Sequence, residues 1–182
     1  MESFSLNGKV RGELGRKAAK QLRKEERVPC NLYGISGNIS FSVAAKEVKH
    51  LIYTDKVYKV ALNIDGTERT AILKEIQFEP VSDLLNHIDF LELVDNKAVK
   101  VEVPIKLIGT AAGVKTGGSL ITKLRLAKIK ATPENLPACV EVNVETLEVG
   151  GLIRVRDIET KNFEILNAPS VVVATVKGKK GS

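Results

Sequence analysis

Aromatic residues are scarce in this 182-residue chain, and tryptophan is absent. Aromatics make up 4% of the residues, whereas hydrophobic residues of all kinds make up 43%. The core must therefore be built from aliphatic side chains, mainly Val, Leu and Ile. Because β-branched residues favour strands, this composition predicts a mainly β fold with a few short helices. The length suits one large or two small domains.

Cysteine and histidine are also rare, with two of each. Cys30 and Cys139 lie far apart and form no Cys-x-x-Cys pattern. This is typical of small buried apolar residues in a reducing compartment. Four such dispersed residues cannot supply a zinc site without carboxylates. We therefore expect no metal and no cofactor.

Long apolar runs are missing too. No run approaches the roughly 20 residues needed to cross a bilayer. The chain starts MESFSLNGKV, without the basic start and apolar block of a signal peptide. These absences favour a cytoplasmic protein without a membrane partner.

Positive charge, in contrast, is in excess. The formal net charge is +6 and the pI is about 9.3, which favours a polyanionic partner. Residues 1–92 carry fourteen basic and thirteen acidic residues, and residues 93–182 carry fourteen and nine. The first half would therefore bind a polyanion through local clustering. The basic residues of the second half are scattered along strands, where they also suit a solvated face or a protected edge.

The densest basic cluster lies on a predicted helix between Val10 and Gly34. Leu14, Ala18 and Leu22 recur at four-residue steps and predict its apolar stripe. The basic residues of this helix are Arg16, Lys17, Lys20, Arg23 and Lys24. Such a run is usually only a solvated face, but a solvated helix normally interleaves Glu with Lys. The absence of acids within the run favours phosphate contact.

Alternating patterns predict strands through the rest of the first half. A hairpin over residues 58–78 turns at Asp65-Gly66, where both positions tolerate positive φ. A strand near 28–33 contains Pro29, which predicts a sheet edge or an irregular start. The chain turns polar at 94–97. We place a domain boundary near there and assign residues 1–92 and 93–182 to two domains.

The second half reads almost entirely as strands. Residues 120–131 predict one strand whose phase slips at a bulge near Ala127, and residues 152–158 predict another. The segment GTAAGVKTGGS has the glycine content of a phosphate loop. However, Gly113 is one position early for the P-loop pattern, and the segment is expected to open no helix. We therefore exclude nucleotide binding there.

His87 and Asp89 lie two residues apart on a predicted strand and so share one face. An Asp beside a His can fix its tautomer, as in catalytic dyads. The alternative is an ordinary polar face, since Ile88 and Phe90 supply the buried side. No nucleophile stands out nearby, and we predict that the protein is not an enzyme.

Three segments, in order, carry a family resemblance: RGELGRKAAKQLRKEERVPCNLYG, NHIDFLEL and VPIKLIGTAAGVKTGG. They resemble the bacterial large-subunit ribosomal protein twenty-five family. The segments GVKTGG and NLPACVEVNVETLEVG resemble the second domain of its longer, two-domain Ctc-like form. The resemblance implies an N-terminal β-barrel with helices that binds 5S ribosomal RNA, followed by a β-rich domain.

The resemblance also implies which residues contact RNA. These are Arg11, Arg16, Lys17, Lys20, Arg23, Lys24, Tyr33, His87 and Asp89. The basic residues would neutralise phosphates, and Tyr33 would stack or contact ribose. His87 would donate to a phosphate or a base edge. Asp89 would orient His87, or accept a hydrogen bond from a base amino group or a 2′-hydroxyl.

Two features depart from the family pattern. The segment QFEPVSDLLN before His87 is acidic where many members are basic, and the C-terminal tail is short and basic where some members end in a long acidic extension.

The implied partners are 5S rRNA, the large ribosomal subunit and neighbouring ribosomal proteins, with a monomer expected off the ribosome. The alternative is a stress-related β-rich adaptor that binds proteins and touches RNA only weakly.

Overall fold

The computed structural model describes residues 2–34, 37–80 and 83–178. The chain divides into two compact units, Met1–Lys97 and Ala98–Ser182. The sequence places the boundary at residue 92. Just beyond that residue, Leu93 N donates to Thr70 O at 2.8 Å, which ties this part of the chain to the first unit.

The first unit is a six-stranded barrel with two helices. Its elements are β1 Ser3–Val10, α1 Arg16–Lys24, β2 Arg27–Gly34, β3 Gly37–Ala44, α2 Ala45–Ile52, β4 Lys59–Ile64, β5 Thr67–Phe78 and β6 Leu85–Glu92. The barrel closes in the order β1-β3-β2-β6-β5-β4. Its β1–β4 and β2–β6 pairs are parallel, and the other pairs are antiparallel. The predicted mainly β fold with an N-terminal barrel is confirmed.

The barrel interior is mostly aliphatic, as the composition predicted. Phe41 and Phe90 are the aromatic residues that the described core buries fully, and their ring centroids lie 5.8 Å apart. Gly8 of β1 lies against Phe41. A Cβ at Gly8 would come within 2.6 Å of Phe41 Cδ2, so the strand can approach this ring only with glycine at that position.

The predicted hairpin is confirmed. Ile64 of β4 pairs with Thr67 of β5, and the turn residues Asp65 and Gly66 have positive φ values of 47° and 86°. The sheet edge considered at Pro29 is not found, because β2 lies between β3 and β6 in the closed barrel. Pairing with β6 starts one residue later, at Cys30, so Pro29 precedes the β6-paired stretch.

The second unit contains two small sheets. Its elements are β7 Val99–Ile108, α3 Ala112–Lys115, β8 Ser119–Thr122, β9 Leu126–Ala131, β10 Val140–Asn143, β11 Leu152–Arg154, a 3-10 turn Val155–Asp157, β12 Glu164–Ile165 and β13 Val172–Lys177. The four-stranded sheet has the order β10-β7-β9-β12, and the three-stranded sheet has the order β11-β13-β8. The predicted β-rich second domain is confirmed.

Two strand predictions in this unit were wrong. Residues 120–131 form β8 and β9, which belong to different sheets. The phase slip near Ala127 therefore marks the passage of the chain from one sheet to the other, and not a bulge. Residues 152–158 form a strand only as far as Arg154. There Arg154 N donates to Asp157 Oδ2 at 2.8 Å, which closes the 3-10 turn.

The expectation that the glycine-rich segment opens no helix was also wrong, because α3 is one helical turn. Its amides are used internally: Gly113 N donates to Leu147 O at 2.9 Å, and Gly118 N donates to Gly113 O at 2.8 Å. A Cβ at Gly113 would lie 2.6 Å from Val149 N. The glycines therefore allow close packing, and these two amides are not available to a phosphate.

The remaining predictions concern the cysteines, metal ligands and membrane-spanning helices. Cys30 is buried and Cys139 is half-buried, and both thiols are free. Among the described residues, no three His, Cys, Asp or Glu side chains cluster as metal ligands. No helix in the described ranges is long and apolar enough to span a membrane. The basic tail beyond residue 178, and residues 81–82 of the acidic segment, lie outside the described residues.

Candidate RNA-binding face

Polar side chains from four adjacent strands form a row across the outside of the barrel. Asn31 of β2 pairs with Ser40 of β3 on one side and with Asp89 of β6 on the other. Asp89 in turn pairs with Glu75 of β5. Since side chains alternate along a strand, Tyr33 and His87 share this outward side. We call Asn31, Tyr33, Ser40, Glu75, His87 and Asp89 the polar face.

His87 and Asp89 are in contact on this face, as their spacing predicted. His87 Nδ1 lies 3.1 Å from Asp89 Oδ1, and the two side chains are 22% and 16% exposed. Despite this short distance, Asp89 Oδ1 is buried and accepts no hydrogen bond of regular geometry from any described residue. A buried carboxylate oxygen without a donor costs free energy. Asp89 Oδ1 therefore has unused acceptor capacity within the polar face, next to His87 Nδ1.

Arg11 follows β1 and joins the polar face at Ser40, whose carbonyl oxygen accepts a hydrogen bond from Arg11 N at 3.0 Å. Its guanidinium acts electrostatically on both His87 and Cys30. Arg11 Nε is buried and lacks a hydrogen-bond acceptor within the described part of the chain. An unused donor thus lies in the same region as the unused acceptor of Asp89.

Helix α1 matches the predicted position of the basic run, and all five of its basic residues are exposed. Arg23 Nε donates to Asn86 O at 3.3 Å, which holds the C-terminal end of α1 beside the start of β6. The other basic residues, Arg16, Lys17, Lys20 and Lys24, lie on exposed positions of the same helix. The structure thus brings Arg11, Arg23, Tyr33, His87 and Asp89 to one side of the barrel.

The packing of α1 is weaker than its apolar pattern predicted. Leu14 precedes the helix and is 67% exposed, while Ala18 and Leu22 are only half-buried. A cleft of about 420 Å³, lined by Leu22, Arg27 and Ser42 among others, lies between the helix and the barrel. Short helices gain most of their stability from packing. Helix α1 therefore buries no side chain completely and gains little stability from packing on the barrel.

Some residues of this region were not singled out from the sequence. Asn31, Ser40 and Glu75 belong to the row, and Lys74 Nζ lies 5.5 Å from the centroid of the Tyr33 ring. Alternation along each strand could have placed Asn31 and Ser40 on an outward side. Only the parallel pairing of β2 with β6 shows that they adjoin Asp89.

Burial lowers the pKa of His87 from its ordinary value. The positive charges of Arg11 and Arg23 lower it further, while the negative charges of Asp89 and Glu75 act in the opposite direction. His87 is consequently neutral at physiological pH, so the positive charge acting on it comes from Arg11 and Arg23.

A pH titration followed by NMR should therefore give His87 a pKa below about 6.5. Since Asp89 raises this pKa, Asp89→Asn should lower it further, and Arg23→Ala should raise it. The unfolded chain takes up this proton first as the pH falls. The stability due to neutral His87 is thus complete above about pH 6.5 and declines as the pH falls through that value. A His87→Gln variant with an unchanged pH dependence of stability would contradict this assignment.

Comparison with known proteins gives relatives that match 97% of the chain. Large ribosomal subunit protein bL25 of Porphyromonas gingivalis is 42% identical over 179 residues, covering 97% of this chain and 93% of that protein. This chain belongs to the bL25 family. Its member from Azobacteroides pseudotrichonymphae is 44% identical, covering 97% of this chain and 94% of that protein. The Cytophaga hutchinsonii bL25 is 39% identical, with 97% and 92% covered.

Family models agree with this bL25 membership. Residues 6–90 match the Ribosomal L25p family, and residues 98–180 match the C-terminal domain of ribosomal protein TL5. The resemblance to the two-domain form is therefore confirmed. The bL25 relatives are named as ribosomal proteins and not as enzymes, which confirms the prediction that the chain has no enzymatic role.

Proposed function

We propose that this bL25 protein is a component of the large ribosomal subunit and binds 5S rRNA through helix α1 and the polar face. The names of its relatives support the large-subunit role. The RNA-binding role is carried by one observation above all: the buried, unused acceptor at Asp89 Oδ1 on a surface that also holds arginines.

The two parts of the site would contact different parts of an RNA. The exposed basic residues of α1 suit phosphates, which give affinity and orientation. The polar face suits base edges and ribose. The wide minor groove of an RNA helix displays 2′-hydroxyls and guanine amino groups, and these are donors that Asp89 could accept from. Such a site would read the shape of a helix beside an internal loop.

The partner and its location follow from this role. We expect a protein that works on the cytoplasmic ribosome, is monomeric when free, and contacts 5S rRNA and neighbouring ribosomal proteins. The adaptor alternative has no comparable support, because the relatives carry ribosomal names. An adaptor would also stay in the soluble fraction when large subunits are sedimented at low salt.

A titration of the full chain against 5S rRNA at two salt concentrations tests the proposal. The control is a 5S fragment that lacks the internal-loop arm. We expect tight binding that weakens with salt and requires the arm, because phosphate contacts release counterions while the polar face needs the correct shape. Equal affinity for the two RNAs would mean that the chain is only a generic polyanion binder.

Arg23→Ala tests the contribution of α1. Because Arg23 is exposed, we expect a loss of about 1 kcal/mol, the lower end of the range for a specific contact, and a salt slope reduced by about one. Lys128→Ala is the matched control, since Lys128 is exposed on β9 of the second unit. A larger loss in the Lys128 variant than in the Arg23 variant would place the RNA-binding surface elsewhere.

A further inference from the structure

Tyr33 ends a short chain of side-chain hydrogen bonds on the polar face. Ser40 Oγ donates to Asn31 Oδ1 at 3.0 Å, and Asn31 Nδ2 donates to the Tyr33 hydroxyl oxygen at 3.3 Å. The three side chains lie on neighbouring strands, with Asn31 paired to Ser40. All three are half-buried, so the chain is partly shielded from water.

In this arrangement each hydrogen bond has one direction. A tyrosine hydroxyl has one proton to donate and lone pairs that can accept. When Asn31 Nδ2 supplies a proton to the Tyr33 oxygen, the proton of Tyr33 is left for another acceptor. In the reverse arrangement, Asn31 would accept that proton, and the hydroxyl could offer a ligand only a lone pair.

The neighbouring charge favours the first arrangement. Asn31 has Ser40 on one side, across β3, and Asp89 on the other, across β6. Turning the amide would exchange its oxygen and nitrogen and bring the oxygen toward the Asp89 side. A carboxylate repels a carbonyl oxygen and attracts an amide N–H. Asp89 thus helps Ser40 to hold the Asn31 nitrogen toward Tyr33.

We propose that Ser40 and Asn31 are positioning residues that make the Tyr33 hydroxyl a hydrogen-bond donor, so that it selects an acceptor atom of the bound RNA. This proposal rests on the proposed RNA-binding function. It gives the polar face two adjacent groups of opposite polarity: Asp89 accepts, and Tyr33 donates. A bound RNA would need a donor and an acceptor at matching positions.

The polarity can be tested first on the full chain without RNA. The ¹⁵N–¹H₂ resonances of the Asn31 side chain should shift strongly in Tyr33→Phe, because Nδ2 loses its acceptor. In Ser40→Ala the same resonances should change less, because Nδ2 keeps the Tyr33 oxygen as its acceptor in at least about half of the molecules. The opposite order, with Ser40→Ala causing the larger shift, would mean that Nδ2 donates to Ser40 and would overturn the proposal.

Binding to 5S rRNA then tests whether the polarity matters. Tyr33→Phe should weaken binding roughly three- to tenfold, as expected for one lost hydrogen bond. Ser40→Ala should weaken it by up to about twofold, because Asp89 still biases the Asn31 amide and at most about half of the molecules would then present Tyr33 as an acceptor. In the Tyr33→Phe background, Ser40→Ala should have no effect. An equal effect in both backgrounds would mean a merely structural role for Ser40.

Asn31→Asp reverses the polarity outright, since a carboxylate can only accept the Tyr33 proton. Its affinity for 5S rRNA should be at least as low as that of Tyr33→Phe. The loss should also exceed the loss caused by Asn38→Asp. That variant is the charge control, because Asn38 pairs with Tyr33 on the adjacent strand. Equal losses in the Asn31 and Asn38 variants would count against the proposal.

The source of the acceptor is distinguished with 2′-deoxy-substituted RNA. If the coupling between Ser40 and Tyr33 disappears on that RNA, the acceptor is a 2′-hydroxyl; if it persists, the acceptor is a phosphate or a base. Failure of the proposed function appears differently, as a wild-type chain that does not discriminate between the two 5S RNAs. The NMR measurement tests the hydroxyl polarity even in that case.

Discussion

Asp89→Ala is expected to weaken binding to 5S rRNA by about 2–3 kcal/mol, roughly 30- to 150-fold at constant salt. The expected loss is large because Asp89 is charged, 16% exposed, and carries an oxygen that no described residue satisfies. A donor on the RNA would lose its acceptor in the variant. It would then be buried at the interface without a hydrogen bond.

The sign of this effect is more informative than its size. Removing a negative charge from a protein should strengthen its non-specific attraction to a polyanion. A loss of affinity can therefore come only from a specific hydrogen bond or from damage to the fold. Filter binding or fluorescence anisotropy at two salt concentrations measures the change, and amide NMR spectra show whether the barrel stays intact.

Asp55→Ala is the matched control, because Asp55 is an exposed residue between α2 and β4 and lies outside the polar face. Its removal should leave affinity unchanged or slightly higher. If Asp89→Ala and Asp55→Ala had the same effect, Asp89 would be one charge among many, and the polar face would not be the specific part of the site.

Phe41→Ala is expected to destabilise the barrel by about 3–5 kcal/mol, the usual range for truncating a buried phenylalanine. Phe41 is fully buried, contacts Phe90, and leaves no room for a side chain at Gly8. The variant would lose these contacts and leave a cavity that rigid strands cannot close. Urea unfolding of the full chain, followed by amide signals of the barrel strands, measures the loss separately from the second unit.

Phe78→Ala is its control. Phe78 ends β5 and is 40% exposed, so its truncation should cost less than about 1 kcal/mol. Equal losses in the two variants would show that the barrel is not held by the ring pair at its centre.

Local patterns were sufficient to predict the elements whose contacts are local. The basic helix is predictable because propensity and spacing agree over residues 16–24. The hairpin is predictable because Asp65-Gly66 favours positive φ and the strands on each side alternate. The shared face of His87 and Asp89 follows from their spacing alone.

Features that depend on distant pairing could not be predicted in this way. The change of phase in the apolar alternation near Ala127 looks the same in sequence whether a strand bulges or the chain passes to another sheet. Likewise, Asn31 is only an outward residue of β2 until its neighbour in the barrel is known to be Asp89. The weak packing of α1 depends on the shape of the barrel surface that it contacts. The spacing of Ala18 and Leu22 does not predict that shape.

The parallel pairing of β2 with β6 also has a consequence for the order in which this protein is made. A ribosome synthesises β2 well before β6, the last strand of the barrel. Until residues 85–92 have emerged, Asn31 has no Asp89 beside it and the barrel has two open edges. Contacts between such distant residues form late in folding. The polar face therefore does not exist on a partly made chain, and RNA capture through it must wait for a finished first unit.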